Sequence, residues 1–114
     1  NVIVDNSPST TKYFQYGKCL IGFNPGKDIP HKRLPMLMPQ EAPLMWAETK
    51  YREWHLGHGH HTETDVQGVI IRHLSSIAGR DAHEAKMGYI GLGSAQAFLW
   101  HKEEGLTSQF IHNL

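Results

Sequence analysis

One cysteine, Cys19, among 114 residues excludes an internal disulfide framework and any zinc site built from several thiolates. Net charge is equally scarce, since 11 Lys and Arg stand against 11 Asp and Glu and cancel formally to zero. A nucleic-acid coat or a polybasic membrane anchor needs an excess of positive charge, so neither class fits. No apolar run approaches the ~18 residues of a membrane helix, and no basic n-region precedes an apolar h-region of the kind that marks a secretory signal. Charged residues make up 19% and aromatics 10%, a balance too apolar for a disordered polyampholyte. The first residue is Asn1, which fits a processed chain, a trimmed one or a fragment. The expectation is a single domain over residues 1–114, without a membrane partner and located in the cytoplasm. What the chain has in excess is histidine: nine, nearly matching Lys plus Arg, and histidine is the residue most used to bind metals and move protons near neutral pH.

Short aromatic and β-branched runs at 11–16 and 18–23, parted by Gly17, predict a hairpin. Asn24-Pro25-Gly26 then breaks the second strand. Residues 27–43 carry Pro30, Pro35, Pro39 and Pro43 and predict an irregular crossing, with its methionines packing as adaptable core filler. The spacing of Leu44, Met45, Ala47 and Tyr51 predicts a helix over 41–52, with Pro43 in its first turn. Strands are expected at 54–56, 66–74, 95–100 and 106–112, with a loop and short helix around 75–86. The whole predicts an α/β or α+β fold: a mixed sheet of about five to six strands with one main helix.

Gly57-His58-Gly59-His60 is the strongest local signal. Two imidazoles two residues apart in extended backbone share a side and can converge on one point. The flanking glycines allow a sharp bend and close approach of backbone to a ligand. A solvated histidine-rich turn that picks up adventitious metal would carry the same four residues, so the tetrapeptide by itself leaves both readings open.

The wider context is Tyr13, Tyr16-Gly17, Leu20-Ile21-Gly22-Phe23, Pro43, Trp46 and then Glu48 through His61, followed by Leu74-Ser75-Ser76, Gly79, Asp81-Ala82, Lys86, Gly88-Tyr89, Ala97-Phe98 and Trp100. This block, covering about residues 11–104, resembles the C-terminal half of calcineurin-like metallophosphoesterases, particularly phage- and prophage-encoded members related to DNA-repair exonucleases. The Gly-His-x-His run resembles that family's last metal-binding signature. The resemblance implies that His58 would bind one ion of a dinuclear centre and His60 the other, and that the fold would be part of the family's α/β sandwich. In a full enzyme a metal-activated water attacks a phosphomonoester or phosphodiester. The family's Asp-x-His, Gly-Asp and Gly-Asn-His signatures do not precede the run here. Where the family carries a His-Gly pair after a strand like Leu20–Phe23, this chain has Asn24-Pro25-Gly26; where it carries Trp-His after Asp-Ala, this chain has His83-Glu84. Asn24, His83 and His61 are therefore the further ligand candidates beside His58 and His60.

Two histidines cannot hold a hydrolytic dinuclear centre, which needs carboxylate oxygens to bridge the cations and balance their charge. The expected function is thus a metal-dependent phosphoesterase, or the C-terminal part of one, incomplete as an isolated chain. The alternative is a non-catalytic relative that binds a metal or a partner. Imidazole suits manganese, zinc or iron as the divalent cofactor. Expected partners are a second copy or the missing N-terminal half, since one sheet of a sandwich must cover its apolar face, and a nucleic-acid or other phosphoester substrate. His55 and His73 are expected as hydrogen-bonded packing residues, His31, His101 and His112 as solvated ones. The three tryptophans are expected in the core, and Cys19 as an inert buried thiol.

Overall fold

The computed structural model describes residues 4–26, 29–57, 62–74 and 93–113. Strands β1 (Lys12–Tyr16) and β2 (Cys19–Asn24) form the expected antiparallel hairpin, turning at Gly17, where φ is +57°. After a 3-10 turn at His31–Arg33 come α1 (Leu34–Glu41), α2 (Pro43–Glu48) and β3 (Tyr51–Leu56). β3 pairs parallel with β2, making a β-α-β unit. A second hairpin, β4 (Thr62–Val66) and β5 (Val69–His73), adds β5 parallel to β3 and β4 antiparallel at the edge. The order β1-β2-β3-β5-β4 is a mixed five-stranded sheet whose centre is three parallel strands. β6 (Ser94–His101) and β7 (Gly105–Asn113) form a separate two-stranded sheet, as their sequence predicts. The fold is mixed α/β with few helices. No helix among the described residues is long and apolar enough to cross a membrane.

Three expectations need correction. Residues 34–41 are helical although two prolines lie within them. Pro35 occupies the first turn, where its missing N–H has no intrahelical acceptor, and Pro39 forfeits a single bond to the Pro35 carbonyl. That loss is offset by burial of Leu34, Pro35 and Met38 against the sheet. The helix expected over 41–52 is only Pro43–Glu48. Proline disfavours helical backbone at the residue before it, and Ala42 accordingly adopts φ −131°, ψ 62°. At the far end Thr49 Oγ1 donates to the Met45 carbonyl (2.8 Å), and the Lys50 and Tyr51 amides both turn to Lys18 O (2.8 and 2.9 Å), which starts β3. Finally, the strand expected over 66–74 is two strands folded about Gln67-Gly68. Both turn residues have positive φ (53° and 83°), the signature of a tight two-residue hairpin.

The two faces of the main sheet have different chemistry. Helix-facing Leu20, Trp54, Leu56, Val69 and Ile71 pack with Leu34 and Met38 into the apolar core. Each buried aliphatic of this kind contributes about 1.5–3 kcal/mol. Trp54 is fully buried, donates its indole N–H to Leu34 O (2.9 Å), and meets Tyr13 edge-on at 5.5 Å. Its ring lies over Gly22, where an added Cβ would stand 2.7 Å from Trp54 Cε3. Met38 is the core filler expected of a methionine; Met36 is exposed.

The opposite face is covered at its centre by the β6–β7 hairpin. Phe98 packs 5.0 Å from the His55 ring and Trp100 6.3 Å from it. The closed end of that hairpin is docked at the amino ends of β2 and β3: the Lys18 amide donates to Lys102 O (2.7 Å), and Gly105 lies against the Tyr51 ring. Phe14, Tyr16 and Phe23 on this face, and Leu99 and Phe110 on the hairpin, stay exposed.

Candidate functional site

β2, β3 and β5 run parallel, so their carboxyl ends share one edge of the sheet: Asn24, Leu56 and His73 are cross-strand neighbours there. In open α/β sheets this edge is where ligands bind. The chain leaves β2 through Asn24-Pro25-Gly26 and passes directly over the end of β3. Gly26 (φ +79°) approaches so closely that a Cβ would lie 3.1 Å from Leu56 Cβ and 3.2 Å from Gly57 O. Positive φ and lack of space both demand glycine at this position.

Gly57 follows the last residue of β3 and opens the Gly-His-Gly-His run at this edge. His58, His60 and His61 lie outside the described residues, as does His83. Asn24 is described, and both ends of its carboxamide are engaged. Nδ2 donates to Thr11 Oγ1 (2.8 Å) and Oδ1 accepts from the Gly26 amide (2.7 Å). Its local task is to hold the turn over β3. Among the described residues no group of three or more His, Cys, Asp or Glu could hold a metal ion.

Two other arrangements escaped the sequence reading. At the same carboxyl edge His31, expected to be solvated, meets His73 with their Nε2 atoms 2.8 Å apart and ring centroids 4.8 Å apart. Nitrogen atoms much closer than the centroids mean that the rings point at each other rather than stack. Burial pushes His73 below the usual histidine range, and the neighbouring His31 adds to this; the Gly57 backbone acts in the opposite sense. His73 Nδ1 is buried and has no aligned hydrogen-bond partner among the described residues. The two histidines are 42 positions apart, so no local pattern could have paired them.

The second arrangement is a buried ionic network beneath the β6–β7 hairpin. Glu53 accepts from Arg72 Nε (2.9 Å) and from His55 Nε2 (2.5 Å). A carboxylate only accepts, so His55 carries a proton on Nε2. Arg72 also pairs with Glu63, reaches Gln109 Oε1 (3.4 Å) and lies 5.3 Å from the Phe98 ring centroid. The side chains of Glu53 and Arg72 are each 4% exposed. A sequence signal did exist: Glu53 and His55 alternate on one strand and Arg72 lies within an apolar one, so all three face the same side. His55 is the hydrogen-bonded packing residue that was expected.

On the helix side a cavity of about 460 Å³ lies between the N-terminal segment and α2. Its polar groups satisfy one another: Tyr13 donates to Glu41 (2.5 Å) and Lys12 pairs with Asp5 (3.1 Å). It therefore offers no set of unpaired groups aimed at a ligand. Comparison with known protein families, with curated proteins and with solved structures finds no match to this chain.

Proposed function

We propose that this chain is the histidine-bearing part of a metal-dependent phosphoesterase centre, with His58 and His60 as ligands to a divalent transition ion: manganese, zinc or iron. One observation carries this reading. The Gly-His-Gly-His run starts at the carboxyl end of β3, the central strand of three parallel ones, where α/β folds place their ligands. The ion would polarise a phosphoryl oxygen and lower the pKa of a bound water. The chain's part would be to present imidazoles from the residues that follow β3. A complete centre needs bridging carboxylates from a partner, either a second copy or an N-terminal half.

A second reading, a metal- or partner-binding module without turnover, draws support from the carboxylates. Glu53 is committed to Arg72 and His55, and Glu63 to Arg72, so neither is available to bridge cations. The same experiment separates the readings. Calorimetry with manganese or zinc should show one saturable binding event that disappears in His58→Ala/His60→Ala, whatever other sites remain. With bis-p-nitrophenyl phosphate the isolated chain should show little or no turnover. Metal-dependent hydrolysis lost on His60→Ala would establish the chain as an enzyme by itself. An isotherm that is identical in the wild type and in His58→Ala/His60→Ala would refute the metal role that either reading gives these two histidines.

A further inference from the structure

We propose that His31 and His73 form a separate two-imidazole site for a borderline divalent ion such as zinc, at the carboxyl edge of the parallel strands. It does not use the Gly-His-Gly-His run, and it stands or falls independently of that run.

Geometry carries the assignment. The two Nε2 atoms are 2.8 Å apart and face each other. An ion 2.0–2.1 Å from both would subtend an N–metal–N angle of about 86° at that 2.8 Å separation, near the right angle of adjacent octahedral positions. Opening to a tetrahedral angle needs a nitrogen separation of about 3.3 Å, a shift of about half an ångström. His31 is exposed and free to make that shift. Because the rings point at each other, they must also tilt until both Nε2 lone pairs converge on the ion, whose remaining positions would be open to water or to an anionic ligand.

The protonation pattern points the same way. With both rings neutral and no ion, one Nε2–H donates to the other Nε2, so the donor ring has a bare Nδ1. With an ion, both Nε2 atoms offer lone pairs and both rings carry their proton on Nδ1. Metal-bound histidines ordinarily donate that second N–H to a backbone carbonyl or carboxylate. His73 Nδ1 is buried and without a hydrogen-bond partner among the described residues.

Both ligands are also mounted on fixed elements, as precise sites require. His73 ends β5, paired with Leu56 on one side and Thr62 on the other. His31 opens the 3-10 turn closed by the Arg33 amide on Pro30 O (3.0 Å). That turn leads into Leu34, which is fully buried and whose carbonyl accepts from Trp54. Their meeting is imposed by the fold.

The test is zinc calorimetry on the full-length chain in a His58→Ala/His60→Ala/His61→Ala background, which removes the other run. A binding event should persist there. Adding His31→Ala, at an exposed position that leaves the core intact, should weaken it at least tenfold, and His73→Ala should do the same. Far-ultraviolet circular dichroism confirms that each variant is folded, and an unfolded His73→Ala leaves His31→Ala to decide. Absence of zinc binding in the triple-alanine background overturns this proposal while leaving the phosphoesterase reading untouched. So does binding that His31→Ala does not weaken. Conversely, wild-type metal binding that depends on His31 but not on His58 or His60 upholds this site and overturns the other.

Discussion

Replacing Glu53 by glutamine is the sharpest perturbation of the fold, because it removes one charge while keeping volume and shape. Arg72 would then remain buried, with Glu63 as its carboxylate partner, and Glu63 is 53% exposed. Breaking a buried pair costs about 3–5 kcal/mol, because the uncompensated charge stays in a poorly polarisable interior. Glu63 still offsets part of the Arg72 charge, so the expected loss is the lower figure, about 3 kcal/mol. For urea slopes of about 1–3 kcal/mol per molar, that lowers the unfolding midpoint by about 1–3 M. The double variant Glu53→Leu/Arg72→Met removes both charges and replaces them with apolar bulk. It should be more stable than Glu53→Gln, because no charge remains to be desolvated. Urea titrations followed by tryptophan fluorescence measure both quantities. A Glu53→Gln loss below about 1 kcal/mol would refute the reasoning, since a surface pair is worth no more than that.

Two further outcomes follow from the packing. Gly22→Ala would push a methyl group into the Trp54 ring from 2.7 Å, so it should destabilise by about 1–3 kcal/mol in the same titration; unchanged stability would mean that Trp54 does not lie over β2. Burial first, and the Glu53 charge second, raise the Cys19 thiol above its ordinary value. Iodoacetamide at pH 8 should therefore label it only after urea unfolding. The sign of the linkage is that the folded chain favours the neutral thiol. Its contribution to stability is complete below the unfolded pKa of about 8.5 and declines as pH rises beyond it, because only the unfolded chain then ionises. Rapid labelling of the native chain would contradict the burial.

Much of the architecture was legible because it rests on short-range rules. Alternation and turn chemistry marked β1, β2, β6 and β7, and the proline at 43 marked the start of α2. Elements were misjudged where tertiary packing outweighed local preference. α1 survives Pro39 because Leu34 and Met38 are needed against the sheet. Tyr51 and Arg52 fit a helical face but serve better as the first residues of a strand parallel to β2. β4 was missed because Thr62-Glu63-Thr64-Asp65 has no apolar alternation, being an exposed edge strand. The candidate site was legible only in part. Flanking glycines and spaced histidines single out the run after β3 as a candidate, with its histidines outside the described residues, whereas no periodicity joins residue 31 to residue 73. That pair exists only because the segment leaving β2 carries His31 to the edge where β5 ends.

The way the second sheet is fastened has a mechanical consequence. Its turn is clamped at the amino ends of β2 and β3, by Lys18 to Lys102 O and by Gly105 against Tyr51, while its strand termini extend toward the opposite edge. The ribbon is pinned a second time along its length, where Phe98 and Gln109 meet His55 and Arg72, so only the strand ends beyond those contacts are left to swing.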